Sequence, residues 1–185
     1  HARVTFPGGC EIGLRPIDIH LNALQELGVR IEDNHGKLNC DSTHFTGGVV
    51  ALDFASVGAT ENLILASALG KNEVTILNAA REPEIVDLCS FLNKCGASIV
   101  GAGTNEIKIF STSKLHGVEY EPIKDRIVAS TYLLAGAITG GDVEVRGVNS
   151  SQNISFLKKL CQTGCQLSIK SDTIRLCSSA KLQAV

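Results

Sequence analysis

The sequence predicts a mixed α/β (α+β) fold made of repeated β-α-β-α-β-β units, and three observations carry that expectation. The segments LQELGVRIEDNHGKLNC, FLNKCGASIVGAGTNEIKI and KLCQTGCQLSIKSDTIRL share one plan: a helix ending in glycine, a strand, a turn and a second strand. Gly28 to Gly96 and Gly96 to Gly164 each span 68 positions, a fixed period of the kind that marks repeated supersecondary units. Each full period also carries a second helix followed by a strand-like run, VTIL in one and VEVR in the next.

Taken in order, the first helix is entered near Arg15–His20 and stops at Gly28. Glycine suits that place because the residue after a helix often turns left-handed, which a β-carbon disfavours. The hairpin VRIEDNHGKLNC follows. Asp53–Thr60 then reads as a strand end turning into a helix over 56–69, with Ser56 as N-cap and Leu63, Ile64, Leu65, Ala66, Ala68 and Leu69 as its apolar content. After the VTIL strand, a helix is predicted over 83–95, with Pro83 in its first turn. In the next period the corresponding helices are predicted over 125–138 and 150–163. The chain opens His-Ala with no obvious first element, so it holds two periods and the second half of an earlier one. A half-unit cannot cover its own sheet. The expectation is a central fragment of a longer chain.

Bulk properties narrow the function. The hydrophobic content of 44% fills a core in 185 residues, and no apolar run approaches the ~18 residues of a membrane span. A formal charge of −2 with 4% aromatic residues argues against a nucleic-acid platform, which needs a basic stripe and stacking rings. The seven cysteines read as reduced thiols of a cytoplasmic protein rather than a disulfide framework. No metal site is expected: Cys161/Cys165 and Cys89/Cys95 do not make two zinc-type pairs, and Cys89 and Cys161 fall in helical segments.

Several stretches carry chemistry. Phe6–Pro16 reads FPGGCEIGLRP, with Cys10 behind two glycines and Arg15 five residues on. Glycines keep such a loop mobile, as a lid would need, and a buried structural cysteine fits poorly there. Arg15 before a helix N-terminus suits an anion, its planar fork matching phosphate oxygens; a surface ion pair is the plainer role. The start of the helix after Asp53 offers N–H groups for a diphosphate, and Gly58 permits close approach. Ser56 as a simple N-cap is compatible with that. Glu82 and Glu84 suit the positive end of a helix dipole with no further role required. The tract Glu119–Lys124, charged and containing Pro122, reads as a linker ahead of Asp125 and Arg126.

The motifs PGGC-x-IG-x-RP-x-D-x-H, SVGATEN, NAAREPEIVDL and DRI closely resemble those of the UDP-N-acetylglucosamine 1-carboxyvinyltransferases, a family of enolpyruvyl transferases, from Ala2 to about Leu176. The resemblance implies six repeat units in two domains, with the inside-out α/β barrel of the enolpyruvyl transferase superfamily. On that layout residues 1–123 belong to the lid-bearing domain and 124–185 to the second, with a hinge near 119–124. It implies transfer of enolpyruvate from phosphoenolpyruvate to the 3-hydroxyl of UDP-N-acetylglucosamine by addition and elimination of phosphate, in peptidoglycan synthesis in the bacterial cytoplasm. Cys10 is then the acid that protonates the methylene carbon, since a thiol of pKa ~8.5 stays protonated near neutrality. Arg15 meets phosphate, and Pro16, Ile17, Asp18, Ile19 and His20 line the nucleotide site. Ser56, Val57 and Gly58 hold the diphosphate, and Glu82, Glu84, Asp125 and Arg126 lie at the cleft. For His20 the residues alone leave simple helix packing equally open. Phe54 stands where some members carry lysine, which removes one charge contact. No cofactor, nucleic acid or membrane partner is implied, and the general base falls in sequence beyond this segment. The rival readings are 3-phosphoshikimate 1-carboxyvinyltransferase and a non-catalytic nucleotide-sugar binding module.

Overall fold

The 68-residue period appears directly as repeated structure in the computed structural model, which describes residues 1–5, 17–178 and 181–185. These residues divide into two compact units, His1–Pro122 and Ile123–Val185. The expected Cys10 loop, with Arg15 and Pro16, lies outside the described residues.

In the first unit, β1 (Ala2–Thr5), α1 (Asp18–Glu26), β2 (Arg30–Asn34) and β3 (Lys37–Asp41) give an antiparallel sheet of order β1-β3-β2. One complete repeat follows: β4 (Gly48–Ala51), α2 (Val57–Ser67), β5 (Val74–Leu77), α3 (Pro83–Lys94), β6 (Ser98–Val100) and β7 (Glu106–Phe110). Its sheet has the order β4-β5-β7-β6. β4 and β5 run parallel, with Gly48 opposite Val74 and Ala51 opposite Leu77. Parallel neighbours need a crossover, and α2 supplies it. The second unit contains α4 (Arg126–Ile138), β8 (Asp142–Arg146), a 3-10 turn (Ser150–Asn153), α5 (Ile154–Gln162), β9 (Gln166–Ile169) and β10 (Thr173–Cys177), with sheet order β8-β10-β9.

The marker glycines close their helices with one hydrogen-bond pattern. Gly28 donates to the Gln25 carbonyl and Val29 to that of Leu24; Gly96 and Ala97 do the same to Asn93 and Leu92, and Gly164 and Cys165 to Cys161 and Leu160. This is the Schellman arrangement, which requires a left-handed residue after the cap. The three glycines comply, with φ of 91°, 103° and 97°.

Packing follows the expected periodicities. In β5, Val74 and Ile76 are buried, as are Ile107 and Ile109 in β7, while Lys108 between them is exposed. α2 lies over this sheet with Ala59, Leu63 and Ile64 fully buried. A fully buried leucine or isoleucine contributes about 1.5–3 kcal/mol relative to an exposed one. The core of the second unit joins Ala129, Leu133 and Ala137 of α4 to Leu157, Leu160, Ile174 and Leu176. α4 is apolar on its remaining sides too: Ile127, Val128, Tyr132, Leu134 and Ile138 are exposed.

Three features depart from expectation. Ala2–Thr5 forms a strand where no first element was foreseen, paired from Ala2 opposite Cys40 to Thr5 opposite Lys37. The last repeat lacks its opening strand, since residues 111–125 carry none. The helix expected over 150–163 begins as a 3-10 turn, because the Asn149 side chain accepts from the Ser151 N–H at 3.0 Å and tightens the entry. Within the tract 119–124, Tyr120 packs on α3. Its hydroxyl donates to the Asp87 carboxylate at 2.7 Å, its ring meets Phe91 edge-on at 5.3 Å, and Lys94 Nζ sits 5.0 Å from the ring centre.

The turn geometry sets an order of mutational costs within the first unit. At Gly96 the nearest atoms to an added β-carbon belong to the His116 side chain at 3.2 Å, which can shift. Gly96→Ala is expected to cost the left-handed backbone penalty of about 1–2 kcal/mol. At Gly28 the β-carbon would stand 2.2 Å from the His44 carbonyl oxygen, so Gly28→Ala costs clearly more. Urea unfolding followed by circular dichroism ranks the two, and equal losses would contradict this account.

Candidate functional site

Three chain segments of the first unit meet around the first turns of α2. The first is the start of α1. Half-buried Ile17 sits in its N-cap position without a side-chain cap bond, and Asp18 is exposed in the first turn. Ile19 packs against the core, while His20 turns toward α2.

The second segment leads out of β4. Leu52 is buried and bonds through its N–H to the Leu77 carbonyl at 3.1 Å. The chain then exposes Asp53, Phe54 and Ala55 before turning at Ser56. Phe54, at the position where the resemblance allows a lysine in some members, is 59% exposed. Ser56 has the extended backbone of an N-cap, and its Oγ accepts from the Ala59 N–H at 3.3 Å. The plain capping role is therefore real. Val57 and Gly58 form the half-buried first turn behind it.

The third segment, Asn78–Glu84, explains the NAAREPE signature residue by residue. Asn78 takes a left-handed φ of 56°, which asparagine tolerates better than most side chains, and its amide donates to the Leu52 carbonyl at 2.9 Å. Ala79 and Ala80 are buried, where larger side chains would not fit without repacking. The Ala80 N–H donates to Thr60 Oγ1 at 3.0 Å, and that hydroxyl donates to the Ser56 carbonyl at 2.8 Å. Thr60 is completely buried, so one hydroxyl satisfies both the α2 cap and the loop entering α3. Arg81 is exposed. Glu82 and Glu84 are half-buried on either side of Pro83, at the N-cap position and in the first turn of α3.

His20 joins the first two segments. Its Nδ1 lies 2.7 Å from the Asn62 side-chain amide nitrogen, and a β-carbon on Gly58 would stand 3.1 Å from its Cε1. The arrangement thus brings Ile17–His20 to Ser56–Gly58, and Thr60 links these to the loop that carries Glu82 and Glu84. Cys10, Arg15 and Pro16 lie outside the described residues. Asp125 and Arg126 belong to the second unit, where the Asp125 carboxylate accepts from the N–H groups of Ile127 and Val128 at 2.9 and 2.8 Å and caps α4.

Asn62 and Thr60 were not anticipated. A usable signal was present: Gly58 and Asn62 stand four apart and so share one face of α2. Thr60 carries no comparable signal, because a threonine in an apolar helix ordinarily bonds back to its own turn. Among the remaining thiols, burial pushes Cys89 up to about 11, while Cys161 and Cys177 are exposed.

Comparison with known proteins finds relatives along the length of the chain. UDP-N-acetylglucosamine 1-carboxyvinyltransferase 2 of Caldanaerobacter subterraneus subsp. tengcongensis is 47% identical over 184 residues, covering 100% of the chain and 44% of that protein. The enzyme of that name from Finegoldia magna is 46% identical over 98% of the chain and 44% of its own length. UDP-N-acetylglucosamine 1-carboxyvinyltransferase 1 of Staphylococcus aureus is 45% identical over 100% of the chain and 44% of its length. The chain therefore spans less than half the length of these curated relatives. Among solved structures, the enolpyruvyl transferase NikO from Streptomyces tendae matches with a TM-score of 0.78 at 19% identity, over 96% of this chain and 43% of that one. EPSP synthase from Acinetobacter baumannii matches at 0.62 and 20% identity, over 99% and 44%. These distant likenesses establish the mixed α/β fold. The EPSP synthase (3-phosphoshikimate 1-carboxyvinyltransferase) family model matches residues 1–185, and the chain belongs to that family.

Proposed function

We propose that this chain is part of a UDP-N-acetylglucosamine 1-carboxyvinyltransferase, which transfers enolpyruvate from phosphoenolpyruvate to the 3-hydroxyl of the nucleotide sugar in peptidoglycan synthesis. The observation that carries the reading is identity of 45–47% to relatives of that name along essentially the whole chain. The 3-phosphoshikimate reading has weaker support, since the EPSP synthase structures are about 20% identical and speak to the fold alone. Six unpaired cysteines among the described residues suit a reducing compartment such as the bacterial cytoplasm.

In this mechanism the 3-hydroxyl oxygen bonds to C2 of phosphoenolpyruvate while Cys10 protonates C3, and a base beyond this segment takes the hydroxyl proton. Loss of a C3 proton then expels phosphate. Arg15 neutralises phosphate charge as it builds. Pro16, Ile17, Asp18, Ile19 and His20 hold the nucleotide, with Ser56, Val57 and Gly58 at its diphosphate; Glu82 and Glu84 orient polar groups at the cleft, as do Asp125 and Arg126. The two compact units are pieces of two different domains that hinge near 119–124, each completed by further repeats into an inside-out barrel. The exposed apolar side of α4 supports that completion, because a helix apolar all round is normally buried.

Reactivity of Cys10 tests the role of the lid. In the full-length protein, an epoxide phosphonate resembling phosphoenolpyruvate is expected to alkylate Cys10 first, faster when UDP-N-acetylglucosamine is present. Exposure alone would favour Cys161 and Cys177, so labelling of either ahead of Cys10 in a peptide map would overturn the assignment. Cys10→Asp should retain an acid and some turnover while losing alkylation. Phosphate release should require UDP-N-acetylglucosamine as acceptor, and release with shikimate 3-phosphate instead would select the rival activity.

Asp125 offers a cleaner separation of structure from substrate contact. Asparagine caps a helix about as well as aspartate, whereas Asp125→Ala loses about 1 kcal/mol. Asp125→Asn should therefore keep the thermal stability of the full-length protein but lower turnover. Unchanged turnover would reduce Asp125 to a cap.

A further inference from the structure

We propose that Asn62 is a positioning residue that fixes the tautomer of His20 and so aims a hydrogen-bond donor at the diphosphate of the nucleotide sugar. The proposal rests on the function given above and deepens it. Asn62 lies on the sixth position of α2, one turn beyond Gly58, and neither the family resemblance nor its motifs assign it a role.

The geometry is specific. The Asn62 amide nitrogen stands 2.7 Å from His20 Nδ1. An amide nitrogen donates and cannot accept, so Nδ1 is the bare, accepting nitrogen of the ring. In the neutral imidazole the proton then resides on Nε2. That edge of the ring lies along Gly58, whose absent β-carbon would stand 3.1 Å from Cε1 and 3.5 Å from Nε2. Among the described residues no hydrogen bond occupies Nε2. A side chain at 58 would crowd the ring from below, and loss of the amide at 62 would free it to rotate. Two residues four apart on α2 thus clamp one residue of α1.

The consequence is a donor with a fixed direction at the place assigned to the diphosphate. A histidine free to exchange tautomers presents a lone pair there part of the time, which repels phosphate oxygen. Held by Asn62, it presents Nε2–H. Asn62 does not touch the nucleotide; it acts through His20, in the manner of a second residue that orients a first. The link also explains why residues 17–20 and 56–58, separated by 36 positions in sequence, can serve one ligand.

The test uses the full-length protein and titrates UDP. Asn62→Leu removes the donor while keeping the branching of the side chain, and should weaken UDP binding about three- to tenfold, the worth of one hydrogen bond. Its KM for UDP-N-acetylglucosamine should rise by a similar factor with kcat little changed. Asn62→Ala, tested alongside, carries the same expectation should the leucine variant fold poorly. In a His20→Gln background the glutamine amide is a donor whatever occupies position 62, so adding Asn62→Leu should change UDP binding less than twofold. Equal losses in both backgrounds would make Asn62 a merely structural residue and overturn the proposal. So would an equal loss for uridine, which lacks phosphate, or no loss at all in an otherwise active protein. A wild-type protein with no turnover of UDP-N-acetylglucosamine would instead defeat the functional reading itself.

Discussion

The buried hydroxyl of Thr60 is the interaction on which the rest of the candidate site depends. It donates to the Ser56 carbonyl and accepts from the Ala80 N–H, at zero exposure. Leaving either partner unmade in that environment costs about 1–3 kcal/mol, so the α2 cap and the loop entering α3 cannot move independently. Burial of Ala59, Leu63 and Ile64 on the same helix fixes the position of that hydroxyl over the sheet. His20 and Asn62 then tie α1 to the opposite side of α2. A rigid helix start with two neighbours attached is the kind of support a binding loop requires, since small displacements forfeit most of the benefit of orientation.

Much of the fold was legible because its punctuation is backbone chemistry. The marker glycines are visible in sequence for the same reason that they are needed, namely a left-handed turn that few other residues tolerate. Ser56 and Pro83 announce helix starts in the same way. The first strand was not legible. Ala2–Thr5 is short and exposed throughout, and the strand it pairs with among the described residues, β3, lies some 36 residues away in sequence. The missing strand of the last repeat was hidden for a related reason. A period in sequence records helices and turns faithfully, but strand formation depends on which neighbour is available.

The site was legible unevenly. Motifs flagged His20, Ser56, Gly58, Glu82 and Glu84, and the structure gathers these residues on three connected segments. Asn62 escaped notice despite its spacing from Gly58, because only the fold brings His20 to that face of α2, and Thr60 because its second partner, the Ala80 N–H, lies in a loop 20 residues on. Tyr120 lies in the tract read as a linker, and the contacts of its hydroxyl and ring with α3 had no signal in the sequence. Aromatic residues in an irregular tract can anchor as readily as they can be exposed, and only the fold decides between the two.

Hydrogen exchange on the full-length protein tests the central claim most directly, namely that the start of α2 and the start of α1 form one nucleotide-sugar site. Saturating UDP-N-acetylglucosamine should slow exchange in peptides covering 17–24 and 56–62 together, while the hairpin of β2 and β3 stays unchanged. Protection of the β2–β3 hairpin with no change at 56–62, at a ligand concentration shown to saturate the protein, would contradict the account.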